Sequence, residues 1–133
     1  MNHQTKNWYL SYPKLDWKAT FSVFSSPRVL TAIENDENGL AHFIRGYVDE
    51  HEALNYESAL QNYMTGAELL DPLSMFRLHE IYLGDQNFKV DFDEKKSLCY
   101  LTFGCLMNQF EIFGKYSFWA KYETLFKKDK STQ

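Results

Sequence analysis

The chain has 133 residues, of which 44% are hydrophobic, and its 14 Lys and Arg against 18 Asp and Glu give a net charge of −4. This length indicates one globular domain with its own core, and the negative charge, without a basic stripe, argues against nucleic-acid binding. Aromatic residues make up 17% of the chain, so we expect some of the rings to line a groove or a partner surface, although each of them could also fill the core.

The N-terminal part of the chain has an extended pattern. In Leu15–Val23 the odd positions are apolar and the even ones are polar, which is typical of a half-buried strand, and Trp8–Tyr12 is the predicted partner in a hairpin. The same residues also permit a helix, because Trp17, Phe21 and Phe24 have the spacing i, i+4, i+7. We predict an extended or hairpin arm. No apolar signal segment precedes it.

The rest of the chain has helical periodicity with recognisable helix starts. Ser26-Pro27 predicts a short helix with proline in its first turn. A second helix is predicted from about Asn38 to Val48. Later helices are predicted to start at the capping residues Asn55, Asp71 and Asp91, the last of which forms a capping box with Glu94.

A comparison of the chain with itself at an offset of 38 indicates an internal repeat. It pairs Gly66 with Gly104 and Gly46 with Gly84. A glycine inside a helix costs about 1 kcal/mol relative to alanine, which predicts that a neighbouring helix approaches closely at Gly66 and Gly104. A repeat of this length is typical of a solenoid, so the predicted fold is mainly α, a short α-solenoid of antiparallel helix pairs.

The repeat resembles the Sel1-like repeat, a relative of the tetratricopeptide repeat, over residues 39–107. The matching stretches are "DPLSMFRLHEIYLGDQNFKVDFDEKKSLCYLTFGC" and the preceding "NYESALQNYMTGAELLD". Leu78 and Tyr82 stand at the Leu and Tyr positions of the family pattern, whereas His79 stands where the family prefers glycine. An offset of 35, which pairs Phe43 with Leu78 and Tyr47 with Tyr82, fits the first helix better than 38, and both registers stay open.

The resemblance implies an adaptor that holds a protein or peptide on a concave surface formed by the first helix of each pair. At the matching positions, the partner-binding residues would be Leu40, Arg45, Val48, Leu73, Phe76, Glu80 and Leu83. Such a surface would suit an amphipathic peptide. Alternatively, the chain's own aromatic arm, residues 7–24, covers it.

No group of residues predicts catalysis or metal binding. His51-Glu52 and His79-Glu80 begin like a zinc-protease helix, but no second histidine follows at i+4. We therefore interpret His79 as a partly buried hydrogen-bonding residue, and we expect no enzyme activity, no metal and no cofactor. Cys99 and Cys105 do not share a helix face, so we interpret them as small buried residues.

The sequence predicts three parts. Residues 1–36 are an aromatic N-terminal arm with a short helix, residues 37–126 are helical repeats with a C-terminal closing helix, and residues 127–133 are a charged tail. We expect Leu98, Leu101 and Cys105 to be buried. The run Leu98–Met107 is about half as long as a membrane span of ~20 residues, so we expect an intracellular, cytoplasmic protein without a membrane segment.

The sequence leaves three hypotheses for the function: a protein-binding adaptor, a structural accessory subunit of a larger assembly, and an enzyme or carrier. The oligomeric state stays open.

Overall fold

The computed structural model describes residues 15–113, with side chains up to residue 109, and this part of the chain is mainly helical. Two short 3₁₀ turns, Ser22–Ser25 and Gln86–Phe88, accompany the α-helices. The helices of the described part are α1 Trp17–Thr20, α2 Pro27–Ala32, α3 Gly39–His51, α4 Tyr56–Glu68, α5 Pro72–Ile81 and α6 Glu94–Phe113. The predicted strand Trp8–Tyr12, the closing helix beyond Phe113 and the charged tail lie outside the described residues.

The strand predicted for Leu15–Val23 is wrong, and the helical alternative is the one observed. The Asp16 side chain accepts a hydrogen bond from the Ala19 amide (3.1 Å), which starts α1. Helical and 3₁₀ geometry then bring Trp17, Phe21 and Phe24 to one side, where each ring contacts Phe43 of α3. The burial of these rings outweighs the weaker period-two alternation.

The predicted helix starts are confirmed at four capping residues, each of which accepts a hydrogen bond from the amide three residues later. These residues are Ser26, Asn38, Asn55 and Asp71, at 3.3, 2.9, 3.1 and 2.7 Å. The prediction for α6 was wrong by two residues. Asp93, rather than Asp91, accepts from the Lys96 amide (3.0 Å), and α6 begins at Glu94. Asp91 is exposed.

The core lies between helices that are neighbours in the sequence. α4 packs against both α3 and α5, and α5 packs against α6. A continuous set of ring contacts runs from the N-terminal residues through α3 and α4 to the second 3₁₀ turn. Most rings of the described residues therefore fill the core. The largest fully buried side chains of this core are Phe24, Leu40, Phe43, Ile44, Tyr47, Tyr63, Leu78, His79 and Ile81.

Two of the paired glycines mark close helix contacts, as predicted. A Cβ on Gly66 would overlap the Ser74 side chain, and a Cβ on Gly104 would lie 2.7 Å from the Phe76 ring. Both contacts are made by α5. The other pair has no common role, because Gly46 faces the Tyr63 ring inside the core whereas Gly84 lies in a turn with φ +105°.

The predicted burial of one face of α6 is wrong. Leu98 is 39% exposed, Cys105 is exposed and Leu101 is only partly buried. Cys99 is also exposed, so neither thiol is a buried hydrophobic group. The side that packs on α5 instead carries Ser97 and Gly104, because small residues let the two helices approach closely.

Candidate functional site

The residues predicted to bind a partner do not form an open surface. Leu40 is 1% exposed and belongs to the core of α3, and Glu80 is buried as well. Val48, Leu73 and Phe76 are partly buried and pack against the core. Leu40 and Glu80 are therefore not accessible to a partner, whereas Val48, Leu73 and Phe76 keep part of their surface exposed.

Arg45, another predicted binding residue, holds the end of α2. Its Nη2 atom donates to the carbonyl oxygens of Ile33 (3.0 Å) and Asp36 (2.5 Å). The same nitrogen lies 3.5 Å from the Glu37 carboxylate. These bonds satisfy carbonyl groups at a helix end, which is a structural role. Leu83, the last predicted residue, is partly buried in the turn after α5.

Residues 15–25, which we call the N-terminal strap, lie over α3 and contact α5. The Trp17 indole Nε1 donates to Glu80 Oε1 (2.8 Å), and the Leu15 amide donates to Glu80 Oε2 (3.3 Å). The Tyr47 hydroxyl of α3 donates to the Lys18 carbonyl (3.1 Å). The chain's own aromatic residues thus contact the face on which a partner peptide was predicted.

A buried ionic network lies beneath the strap. Arg77 of α5 donates to Glu50 of α3 through Nε (3.0 Å) and Nη2 (2.5 Å), to Glu80 through Nη1 (3.3 Å) and to Asp85 through Nη2 (3.0 Å). The Tyr63 hydroxyl of α4 donates to Glu50 (2.7 Å). The network therefore links α3, α4, α5 and the turn that follows α5.

Within the network, the pKa values of both Tyr63 and Arg77 are raised. Burial and the Glu50 carboxylate raise the pKa of the Tyr63 phenol well above its usual value. Burial lowers the pKa of the Arg77 guanidinium, but the hydrogen bonds and charge of Glu50 outweigh burial and raise it overall. Arg77 thus stays charged and Tyr63 stays neutral at physiological pH, which suits a structural network.

A polar cavity of about 250 Å³ adjoins this network. It is lined by Leu15, Asp16, Trp17, Lys18, His51, Arg77, Glu80 and Asp85. Burial lowers the pKa of His51, which favours the neutral imidazole. The carboxylates of Glu80 and Asp85 are already engaged by Arg77, and the described residues contain no group of His, Cys, Asp and Glu arranged to hold a metal ion.

His79 is a hydrogen-bonding residue, as predicted, but it is fully rather than partly buried. Its Nδ1 lies 2.8 Å from the Ser97 hydroxyl and 3.1 Å from the Ser97 carbonyl. The Ser97 hydroxyl donates to the His79 carbonyl (2.8 Å), so Nδ1 carries the proton and donates. Burial lowers the pKa of His79. This pair joins α5 to α6.

An open apolar groove lies between α4 and α6, with α5 at its floor. We call it the apolar groove, and its cavity volume is about 340 Å³. Two of its side chains are large and exposed, Leu70 at 58% and Phe103 at 54%. The lining residues are Met64, Ala67, Glu68, Leu70, Met75, Tyr100, Phe103 and Met107. Glu68 is the only charged residue among them.

Leu70 has an unusual backbone conformation for a residue at this groove. Its φ of 68° lies in the left-handed region, which costs a non-glycine residue roughly 1–2 kcal/mol. The turn between α4 and α5 therefore keeps an exposed leucine where glycine would be less strained. Leu54 and Lys89 share this left-handed conformation, so it belongs to the turns in which these residues lie and does not by itself mark a functional site.

The groove was not among the sequence-based predictions, although α6 carries a signal for it. From Leu98 to Met107 the helix carries apolar residues on every side, with only Thr102 and Gly104 between them. A helix of this kind is normally buried all round. Here α5 covers one side, and Phe103 and Leu106, which is 45% exposed, remain accessible.

None of the described helices combines the length and the apolarity that a membrane crossing requires. No family model, no curated protein and no solved structure matches the chain.

Proposed function

We propose that the chain is a non-catalytic protein-binding module of stacked, Sel1-like helix pairs, and that its partner docks in the apolar groove. The proposal retains the adaptor function expected from the sequence but changes the binding surface. Of the residues predicted to bind a partner, Leu40 and Glu80 are buried, and Glu80 also contacts the strap, so these two positions are not accessible to a partner. The groove between α4 and α6 is the more accessible apolar surface.

The observation that carries this proposal is the exposure of large apolar side chains around one concavity. Leu70 and Phe103 stand at its edge, and Met64, Met75 and Met107 line it. Thioether side chains are flexible and adapt to different apolar shapes, which makes them common at protein-binding surfaces. Contiguous exposed apolar groups rimmed by polar residues are typical of interaction sites.

The test is capture of a partner from the native source by the tagged chain, followed by a binding measurement with that purified partner. We expect Phe103→Asp to weaken the binding by at least about tenfold, because it buries a charge in the apolar groove. Leu54→Asp is the matched control. Leu54 is also exposed and apolar, its φ of 54° suits aspartate, and it lies outside the groove.

The comparison of these two variants decides the proposal. Retention of the partner by Leu54→Asp and its loss by a folded Phe103→Asp would support the groove as the binding site. Equal binding by both variants would refute it. Circular dichroism and thermal melting of each variant would establish that the helices are intact.

The second candidate is an accessory subunit that is permanently bound within a larger assembly. The apolar residues on all sides of α6 favour it, because permanent interfaces are more apolar than transient ones. Light scattering of the purified chain separates the two functions. A soluble monomer that binds its partner reversibly is expected of the adaptor, whereas a chain that aggregates unless it is co-expressed with its partner is expected of the subunit.

A further inference from the structure

The apolar groove also has an electrostatic character that restricts its partner. Glu68, its one charged lining residue, is exposed and is the last residue of α4. No ion pair joins Glu68 to a lysine, arginine or histidine among the described residues. The carboxylate is thus available to a cation on another molecule.

The position of Glu68 at a helix end strengthens this preference. The C-terminal end of a helix carries a partial negative charge from its aligned peptide dipoles. That charge adds to the charge of the Glu68 carboxylate at the same end of the groove. The Glu68 carboxylate also contributes, after burial and the neighbouring Tyr82, to raising the pKa of the Tyr100 phenol, so its field reaches the groove wall.

The secondary structure around the groove favours a helical partner. Peptides that bind as an added β-strand need an exposed sheet edge, and the described residues contain no strand. A groove between helices accommodates the apolar face of an amphipathic helix, whose side chains at i, i+3, i+4 and i+7 point the same way. The three methionines allow apolar side chains of different shapes.

We propose, on the basis of the function proposed above, that the groove binds an amphipathic helix that carries a lysine or arginine beside its apolar face. The apolar face enters between Met64 and Phe103, and the basic side chain pairs with Glu68. The methionines supply affinity with little discrimination among apolar residues, whereas Glu68 selects the charge of the partner.

The probes are two synthetic helical peptides of about 18 residues, or five turns. Both carry leucine at i, i+3, i+4 and i+7, and they differ only in having lysine or glutamate beside this stripe. Fluorescence anisotropy at physiological salt measures their affinities. Because the groove is small, we expect a dissociation constant on the order of 10 µM for the lysine peptide, about fivefold to tenfold tighter than for the glutamate peptide.

The variant Glu68→Lys is expected to invert this preference. Glu57→Lys is the matched control, since Glu57 is an exposed glutamate on the same helix and lies 11 residues away, roughly 16 Å along the axis. At that distance its charge is largely screened at physiological salt, so Glu57→Lys is expected to keep the wild-type preference. Phe103→Asp is expected to lose both peptides.

Each outcome bears on a different proposal. Equal affinity of the wild type for both peptides, or no change in Glu68→Lys, would overturn the charge selection while the binding function stands. No binding of either peptide to the wild type would overturn the helical partner. In that case the capture experiment with Phe103→Asp still decides the proposed function independently.

Discussion

At the scale of single residues, His79 is a titratable side chain that is both buried and hydrogen-bonded. His79 is fully buried, and its Nδ1 proton is held by Ser97 of the neighbouring helix. The folded state therefore favours the neutral imidazole, whereas the unfolded state lets the same group titrate normally. This difference makes the stability of the protein depend on pH.

We predict that the free energy of unfolding falls as the pH drops below about 6.5, the usual pKa of histidine. The folded-state pKa of His79 is lowered by burial, so below pH 6.5 the unfolded state binds more protons than the folded state. The contribution of His79 is complete above pH 6.5 and is lost towards the lower folded-state pKa, by at most about 1.4 kcal/mol per pH unit.

Urea unfolding at pH 7.5 and pH 5.5 measures this loss. His79→Asn is the comparison, because an asparagine amide can donate to Ser97 without titrating. The variant is expected to lose less stability between the two pH values than the wild type does. An identical loss in both proteins would assign the pH dependence to other groups, such as His51, whose pKa is also lowered by burial.

At the scale of helices, close packing on small residues determines how α4, α5 and α6 fit together. α5 contributes Ser74 against Gly66 of α4 and Phe76 against Gly104 of α6. The two glycines are 38 residues apart, and so are the capping residues Asn55 and Asp93. Both spacings equal the offset of 38 at which the sequence was compared with itself.

We predict that Gly66→Leu lowers the free energy of unfolding by about 3 kcal/mol or more. Even a Cβ at this position would overlap Ser74 and come within 3.1 Å of the Gly39 carbonyl, so a leucine forces the helices apart. Thermal and urea unfolding measure the effect. Gln61→Leu, on an exposed position of the same helix, is expected to change stability little, and unchanged melting of Gly66→Leu would contradict the close contact.

At the scale of the whole molecule, the buried ionic network joins parts of the described chain that are far apart in the sequence. Arg77 binds a carboxylate from α3 and one from the turn after α5, and it shares Glu80 with Trp17 of the strap. Removing one member leaves the other charges buried without compensation. That penalty is larger than the net contribution of the ion pair itself.

Arg77→Leu is therefore predicted to destabilise the protein by about 3–5 kcal/mol. Adding Glu50→Gln removes one of the uncompensated carboxylates and leaves an oxygen that can accept from Tyr63. The double variant is expected to regain part of the lost stability, as measured by urea unfolding. The single variant Glu50→Gln is measured as well. If its loss of stability and that of Arg77→Leu simply add in the double variant, the two residues are energetically independent.

The sequence alone was sufficient for the helical class, for four of the helix starts and for the close contacts at Gly66 and Gly104. A capping side chain bonds an amide three residues away, so this information is local. Burial is not local. The strand predicted for Leu15–Val23 became helical because its rings pack on Phe43 of α3, and α6 exposes Leu98 because α5 packs on its small residues. Only the tertiary structure could decide that the strap contacts Glu80 and that the groove between α4 and α6 is open, since both depend on contacts between residues far apart in the chain.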